Sequence, residues 1–265
     1  MSKHTEELLT LPERHNRILE LLHQTGSISV TQLSELFKVS EVTIRKDLSV
    51  LEQQQKLYRS HGSAILISPY ISNRHVDEKE KKSVAEKRAI GAAAAALIAR
   101  DDTILIASGT TMAFLAREIQ PEGRLTVITS AMPVTQILSQ HETMDVIQLG
   151  GITRRTSMSV VGPFAEAMLS EFNCSKLFVG VDGIDVDLGL TTTNTLEASL
   201  NRAMIRAAEK VIVLADSSKF GRRGFSKICN MADVDLIITD SGISPRYLDY
   251  LHEHGIEVMV VDVPK

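Results

Sequence analysis

The stretch Ser40-Glu41-Val42-Thr43-Ile44-Arg45-Lys46-Asp47-Leu48-Ser49-Val50-Leu51-Glu52 decides the reading of this chain. Ile44, Leu48 and Leu51 recur at i, i+4 and i+7, which places them on one face of a helix, and Ser40 stands where an N-cap belongs. Glu41, Thr43, Arg45, Lys46 and Ser49 avoid that apolar stripe and point outward. In a recognition helix the N-terminal residues meet base edges, and arginine or lysine there reaches guanine O6/N7 or phosphate.

Working outward, Pro12 suits a first helical turn, and Ile18, Leu19, Leu21 and Leu22 keep helical spacing until Gly26. That predicts a helix over about 12–24. Ile28 and Val30 alternate with Ser27 and Ser29, a short strand, after which Thr31 is the expected cap of a second helix with Leu33, Leu36 and Phe37 inward. Lys38-Val39 then links it tightly to the helix that Ser40 opens, the geometry of a helix-turn-helix. Downstream, two short apolar-bearing segments around His61-Gly62 read as a hairpin, a wing with Arg59 and His61 at its tip. The plain alternative is a small helical docking module with solvated charges, but the order helix, strand, helix, helix, hairpin is more specific than any charge count.

Beyond residue 75 the pattern changes. Lys79 to Arg100 reads as one helix, charged and then Ala-rich, with Val84, Ile90, Ala94, Leu97 and Ile98 on one side. Seven apolar runs follow, at 103–107, 125–129, 144–149, 176–181, 211–215, 236–239 and 258–261, separated by helical patterns. Continuous β-branched runs fit strands buried on both faces of a parallel sheet, hence a three-layer α/β domain. Ligands of such sheets sit beyond the carboxyl ends of the strands. Those ends carry Ser108-Gly109-Thr110-Thr111, Thr129-Ser130, Gly150-Gly151, Asp182-Gly183 and Asp216-Ser217-Ser218-Lys219. Each cluster alone is ordinary turn and cap chemistry. Five at five strand ends point to a small polar or phosphorylated ligand, with the N–H groups and hydroxyls of 108–111 as an anion cradle.

Composition sets the bounds. The 265 residues are 43% apolar, 4% aromatic and 23% charged, with a net charge of −4, which excludes a histone-like polycation. Residues 1–75 hold nine Lys/Arg against eight Asp/Glu, and the remainder is acidic, 20 against 25. The expected division is therefore a DNA-binding domain at 1–66, a linker and the start of a connecting helix at 67–82, and an effector-sensing domain at 83–265. Cys174 and Cys229 have no CxxC or flanking His, so no disulfide framework, metal site or cofactor is expected. The charged start lacks an apolar leader and no stretch is long enough to span a bilayer; the expectation is a cytoplasmic protein with no membrane partner.

Thr43-Ile44-Arg45-Lys46-Asp47-Leu48, then Leu51-Glu52 and Arg59-Ser60-His61-Gly62, resemble the TIRxDL…LE…RxHGG pattern of the DeoR family of bacterial transcription regulators. Glu86-Lys87, Gly109-Thr110-Thr111, Gly150-Gly151, Gly162, Asp182-Gly183, Asp216-Ser217-Ser218-Lys219 and Ile238-Thr239-Asp240 occur in the family's order, so the likeness runs from about Glu13 to Val261. Ala107, Ser130 and Ser63 depart from it; the first two bear on which sugar is sensed, the third on the wing turn. The resemblance implies an α/β protein: a winged helix-turn-helix followed by a Rossmann-like, phosphosugar-isomerase-type sensor domain. It implies a repressor of sugar or polyol catabolism genes whose operator binding responds to a phosphorylated sugar. Ser40, Glu41, Thr43, Arg45, Lys46, Ser49, Arg59 and His61 would then face double-stranded DNA. Ser108, Gly109, Thr110, Thr111, Thr129, Ser130, Gly150, Gly151, Asp182 and Lys219 would face the effector. A homodimer or homotetramer is expected, since one winged domain covers only a half-site. The rival is a phosphosugar isomerase fused to a DNA-binding domain, with Asp182, Asp185, Glu197 and Lys219 as its acid–base set.

Overall fold

The computed structural model describes residues 10–25, 27–53, 57–60, 63–66, 79–121 and 123–263, with backbone alone at 23–25, 27, 58–60, 63, 65 and 66. Contacts divide the chain into two compact units, 1–72 and 73–265.

The first unit opens with α1 (Leu11–Thr25), where Glu13 accepts hydrogen bonds from the N–H and hydroxyl of Thr10 and so closes the helix start. Strand β1 (Ser27–Ser29) leads into α2 (Val30–Phe37). The cap of α2 is Ser29, not Thr31: Ser29 Oγ accepts from Gln32 N, and the Gln32 side chain reaches back to Ser29 N. A reciprocal box satisfies two free N–H groups where Thr31 would satisfy one. Lys38, in the left-handed region at φ 54°, ends α2, and α3 (Glu41–Gln53) follows. Strands β2 (Leu57–Ser60) and β3 (Ser63–Leu66) pair antiparallel in the register Ser60↔Ser63, and β1 adds to β3, giving the order β1-β3-β2. Ile18, Leu22, Val30, Leu33, Ile44, Leu48, Leu51, Leu57 and Ala64 form the core. Burying a Leu or Ile side chain contributes about 1.5–3 kcal/mol, so the seven such positions in this cluster hold the small unit together.

The second unit contains one seven-stranded sheet. Its helix α4 spans only Val84–Ala95, shorter than 79–100. Ser83 at φ 49° interrupts the helical path before it, and Val84 is 45% exposed while Ile90 and Ala94 are buried. Then come β4 (Thr103–Ile106), α5 (Thr110–Glu118), β5 (Leu125–Thr129), α6 (Met132–Leu138) and β6 (Met144–Gln148). A hairpin, β7 (Ile152–Arg154) with β8 (Ser159–Val161), precedes α7 (Pro163–Leu169) and β9 (Cys174–Gly180). Next are β10 (Gly183–Asp185), β11 (Gly189–Thr192), α8 (Thr195–Arg206), β12 (Ala208–Leu214), β13 (Ser226–Cys229), β14 (Leu236–Asp240), α9 (Pro245–Glu253) and β15 (Glu257–Val261).

The large sheet runs β15-β14-β12-β9-β4-β5-β6, every neighbour parallel. Alternate strand residues serve opposite faces: Ile104, Ile106 and Phe178 pack with α4, α5 and α6, whereas Leu105, Leu177 and Val179 pack with α7, α8 and α9. That is why the runs are apolar throughout. From β4 the chain steps outward through β5 to β6; from β9 it steps the other way through β12 and β14 to β15. The order reverses between β4 and β9, where open α/β sheets leave a crevice. A small sheet, β10-β11-β13, is separate from this one.

Candidate functional site

In the first unit the outward face of α3 is built as follows. Ser40 Oγ accepts from Thr43 N at 3.2 Å, which caps the helix and exposes its first turn. Arg45 and Lys46 are exposed, and Glu41, Thr43 and Ser49 are half-buried. The Glu41 carboxylate is shared: Thr31 Oγ1 donates to Oε1 at 2.9 Å and Arg45 Nη2 donates to Oε2 at 2.6 Å. Asp47 does not belong to this face. It is 2% exposed and bound by Arg14 and His15 of α1. Val42, 60% exposed at the first turn, was invisible to a search for charge, yet an apolar side chain there suits a thymine methyl. Arg59 lies on β2, opposite Ala64; its side chain, and the whole of His61, fall outside the described residues.

In the second unit the candidate site lies at the carboxyl ends of β4, β9 and β12, where the strand order reverses. Gly109 precedes α5 at φ 138°, a conformation that favours glycine, and offers no side-chain acceptor to the helix N–H groups. A Cβ there would meet nothing nearer than Met112 Cγ at 4.0 Å, so the backbone is open to approach. Ser108, Thr110 and Thr111 are nearly buried around it.

Carboxylates line the same place. Ser108 Oγ donates to Glu197 Oε1 at 2.8 Å, and Arg154 Nη1 and Thr192 Oγ1 approach Glu197 Oε2 at 2.7 and 3.3 Å. Asp182 Oδ2 accepts from Thr192 Oγ1, Thr193 N and Thr193 Oγ1, each at 3.1 Å, while Lys79 Nζ lies 2.8 Å from Oδ1. Burial opposes ionisation of Asp182, but Lys79, Lys219 and the Thr193 N–H outweigh it and hold the carboxyl below its ordinary value.

Cations complete the crevice. Asp216 caps the turn Ser217–Lys219 by accepting from Ser218 N at 3.1 Å. Lys219, at the end of that turn, is half-buried; its N–H donates to Asp216 O at 2.9 Å, while its ammonium makes no hydrogen bond or ion pair among the described residues. Burial pushes its ammonium down, against the pull of Asp216 and Asp182. Lys87 is 4% exposed and donates to the carbonyls of Lys79 and Lys82, both at 2.5 Å; burial brings it down to about 8.

The structure thus gathers Ser108, Gly109, Thr110, Thr111, Asp182 and Lys219 at one switch point. Other candidates have framework duties. Thr129, fully buried, donates to Ile106 O at 2.7 Å and accepts from Ala131 N at 3.0 Å. Ser130 is 1% exposed and its carbonyl accepts from Val160 N. Gly151, at φ 155°, passes so near β8 that a Cβ would stand 2.7 Å from Val161 O, and Gly150 precedes it in the same turn. Asp185 closes its own turn through the N–H groups of Asp187 and Leu188 and pairs with Arg223 at 2.6 Å. Lys79, Lys87 and Arg154 were missed, because each reads in sequence as solvated surface charge. Among the described residues no group of His, Cys, Asp and Glu could hold a metal ion, and no helix is long and apolar enough to cross a membrane.

Two family models match the chain. A family model described as a DeoR-like helix-turn-helix domain matches residues 14–70, and one described as the DeoR C terminal sensor domain matches 82–241. The chain is 39% identical to the uncharacterized HTH-type transcriptional regulator YulB of Bacillus subtilis, covering 97% of this chain and 99% of that protein. It is 38% identical to a putative aga operon transcriptional repressor of Escherichia coli O157:H7, over 94% of this chain and 93% of the other. With the HTH-type transcriptional regulator GlpR of Haloferax volcanii it shares 34% identity, over 93% and 96% respectively.

Proposed function

The chain belongs to the DeoR family of DNA-binding transcriptional regulators, and we propose that it represses sugar or polyol catabolism genes and is released from its operator by a phosphorylated sugar. The names of relatives point the same way: an aga operon repressor and a lactose phosphotransferase system repressor are among them. Ser40, Thr43, Arg45, Lys46, Ser49 and the wing residues Arg59 and His61 contact DNA in this reading, as a homodimer or homotetramer working in the cytoplasm. Glu41 belongs to the same face.

One observation supports the effector class above all. The half-buried Lys219 side chain makes no hydrogen bond or direct ion pair among the described residues, and it stands at the carboxyl edge of the sheet where α5 also opens. Burial opposes the Lys219 charge, and Asp216 and Asp182 support it without a direct ion pair, so the ammonium keeps its donors for an anion, and phosphate suits both it and the helix N–H groups. The ligand leaves unchanged. Asp182 and Glu197 already accept hydrogen bonds from cations and hydroxyls, and a carboxylate held below its ordinary pKa is a weak proton acceptor.

The test is a thermal-shift screen of the full chain against pentose and hexose phosphates, followed by gel mobility on its own upstream DNA. The expected result is one sugar phosphate that raises the melting temperature, releases DNA and is recovered intact. Turnover would favour the isomerase; no stabilising ligand in the class would overturn the effector assignment.

A further inference from the structure

We infer that Glu41 sets this regulator's sequence discrimination by holding Arg45 in a base-reading pose and by repelling phosphate, without itself touching a base. The inference rests on α3 being the DNA-reading helix and is independent of the effector.

An exposed arginine four residues after a glutamate is normally a loose pair that contributes little. Here the carboxylate is anchored at both ends. Thr31 Oγ1, on α2, donates to Oε1 at 2.9 Å, and Arg45 Nη2 donates to Oε2 at 2.6 Å. The chain Thr31–Glu41–Arg45 therefore spans the two helices of the motif and fixes the Arg45 rotamer. Arg45 remains 57% exposed at its side chain. A guanidinium has five donors in a planar fork, so one given to Glu41 leaves a free edge that matches guanine O6 and N7. Each Glu41 oxygen already accepts one bond, so the carboxylate is committed to holding Arg45 and is not turned freely toward a base.

The carboxylate has a second effect. It occupies the first turn of α3, the position to which the helix N-terminus would otherwise draw a phosphate. On DNA lacking the right base, Arg45 stays neutralised by Glu41 and the helix attracts the backbone less. On the right base, the positioned fork adds its full contact. Specificity is the difference between the two, so Glu41 raises it from both sides.

The experiment takes the full-length chain and a duplex that it enriches from a randomised pool, with a scrambled duplex of equal composition as the non-specific reference. Glu41→Ala should lower the ratio of specific to non-specific affinity roughly ten-fold, within the range expected for one bidentate arginine contact. It should also raise affinity for the scrambled duplex. Thr31→Val keeps the charge and removes the anchor; the ratio should fall while scrambled-duplex affinity stays at the wild-type value. An unchanged ratio in Glu41→Ala overturns the proposal. So does an unchanged ratio in Thr31→Val, which also stands as the test if Glu41→Ala fails to fold. A re-selected pool in which Glu41→Ala loses a cytosine preference and keeps its guanine preference would make Glu41 a direct reader, again overturning it. A wild-type chain that enriches no sequence would remove the DNA-reading premise, and the proposal with it.

Discussion

Arg14 and Asp47 meet inside the DNA-binding unit, Nε to Oδ2 at 2.5 Å and Nη2 to Oδ1 at 3.0 Å, and so tie α1 to α3. His15 Nε2 adds a contact of 3.2 Å to the same carboxylate. Asp47 sits on the buried side of the helix whose other side carries Arg45 and Lys46, and therefore sets the roll of that helix on the core. Asp47→Ala should cost about 3–5 kcal/mol of the unit's stability, since it removes the buried carboxylate that Arg14 and His15 share. Chemical unfolding measures this. The double variant Arg14→Met/Asp47→Leu should lose markedly less, and an equal loss in both would locate the effect in packing.

Replacing Arg45 and Lys46 separates two kinds of DNA contact. Lys46→Ala should weaken binding about equally on all sequences and lower the salt slope by about one, the mark of one lost phosphate contact. Arg45→Ala should instead cost about 1–3 kcal/mol at a single base position. Titrations of both variants at several salt concentrations check the pair; a wild-type slope and affinity in each would remove α3 from the interface.

Lys219→Ala should weaken binding of the screened sugar phosphate by about 1.5–3 kcal/mol, one charge-assisted hydrogen bond, and leave DNA affinity intact. In cells this is a non-inducible repressor. Gly109 is a poorer probe. Its φ of 138° strains any side chain, so a loss there mixes backbone damage with lost contact. Calorimetry of Lys219→Ala settles the point: full wild-type affinity would place the anion elsewhere.

Lys87 should give the sensor unit a pH-dependent stability. Burial, reinforced by Lys219 and opposed by Asp216, lowers it from 10.5 to about 8. Between these values the unfolded chain holds more protons at this site than the folded one, so stability rises with pH across that window. Below pH 8 the cost of burying the ammonium is present in full. Melting temperatures from pH 7 to 10.5 should therefore show a rise in the wild type that is reduced in Lys87→Met. Parallel curves for the two would show that Lys87 titrates at its ordinary value.

The elements that were legible in sequence share one property: their signal lies within a few residues. The seven long strands were found because each is buried on both faces, which demands an unbroken apolar run whatever lies beside it. The core face of α3 was found because Ile44, Leu48 and Leu51 return every turn. The small sheet β10-β11-β13 and the β7–β8 hairpin, with strands of three or four residues, were not read.

By itself, then, the sequence determined the family, the winged helix-turn-helix, the parallel sheet and the loops at its carboxyl edge. Tertiary structure alone decided which charges are solvated and which are held. Asp47 and Arg14 are 33 positions apart, Lys79 and Asp182 103, and nothing near either carboxylate in the chain marks it as paired. Thr129 shows the converse: a small polar residue at a strand end, like Thr110, whose fully buried hydroxyl bonds Ile106 O and Ala131 N. The reason is physical. Backbone periodicity is set by local geometry, whereas the state of a polar group depends on the dielectric and the partners around it, which distant parts of the chain supply.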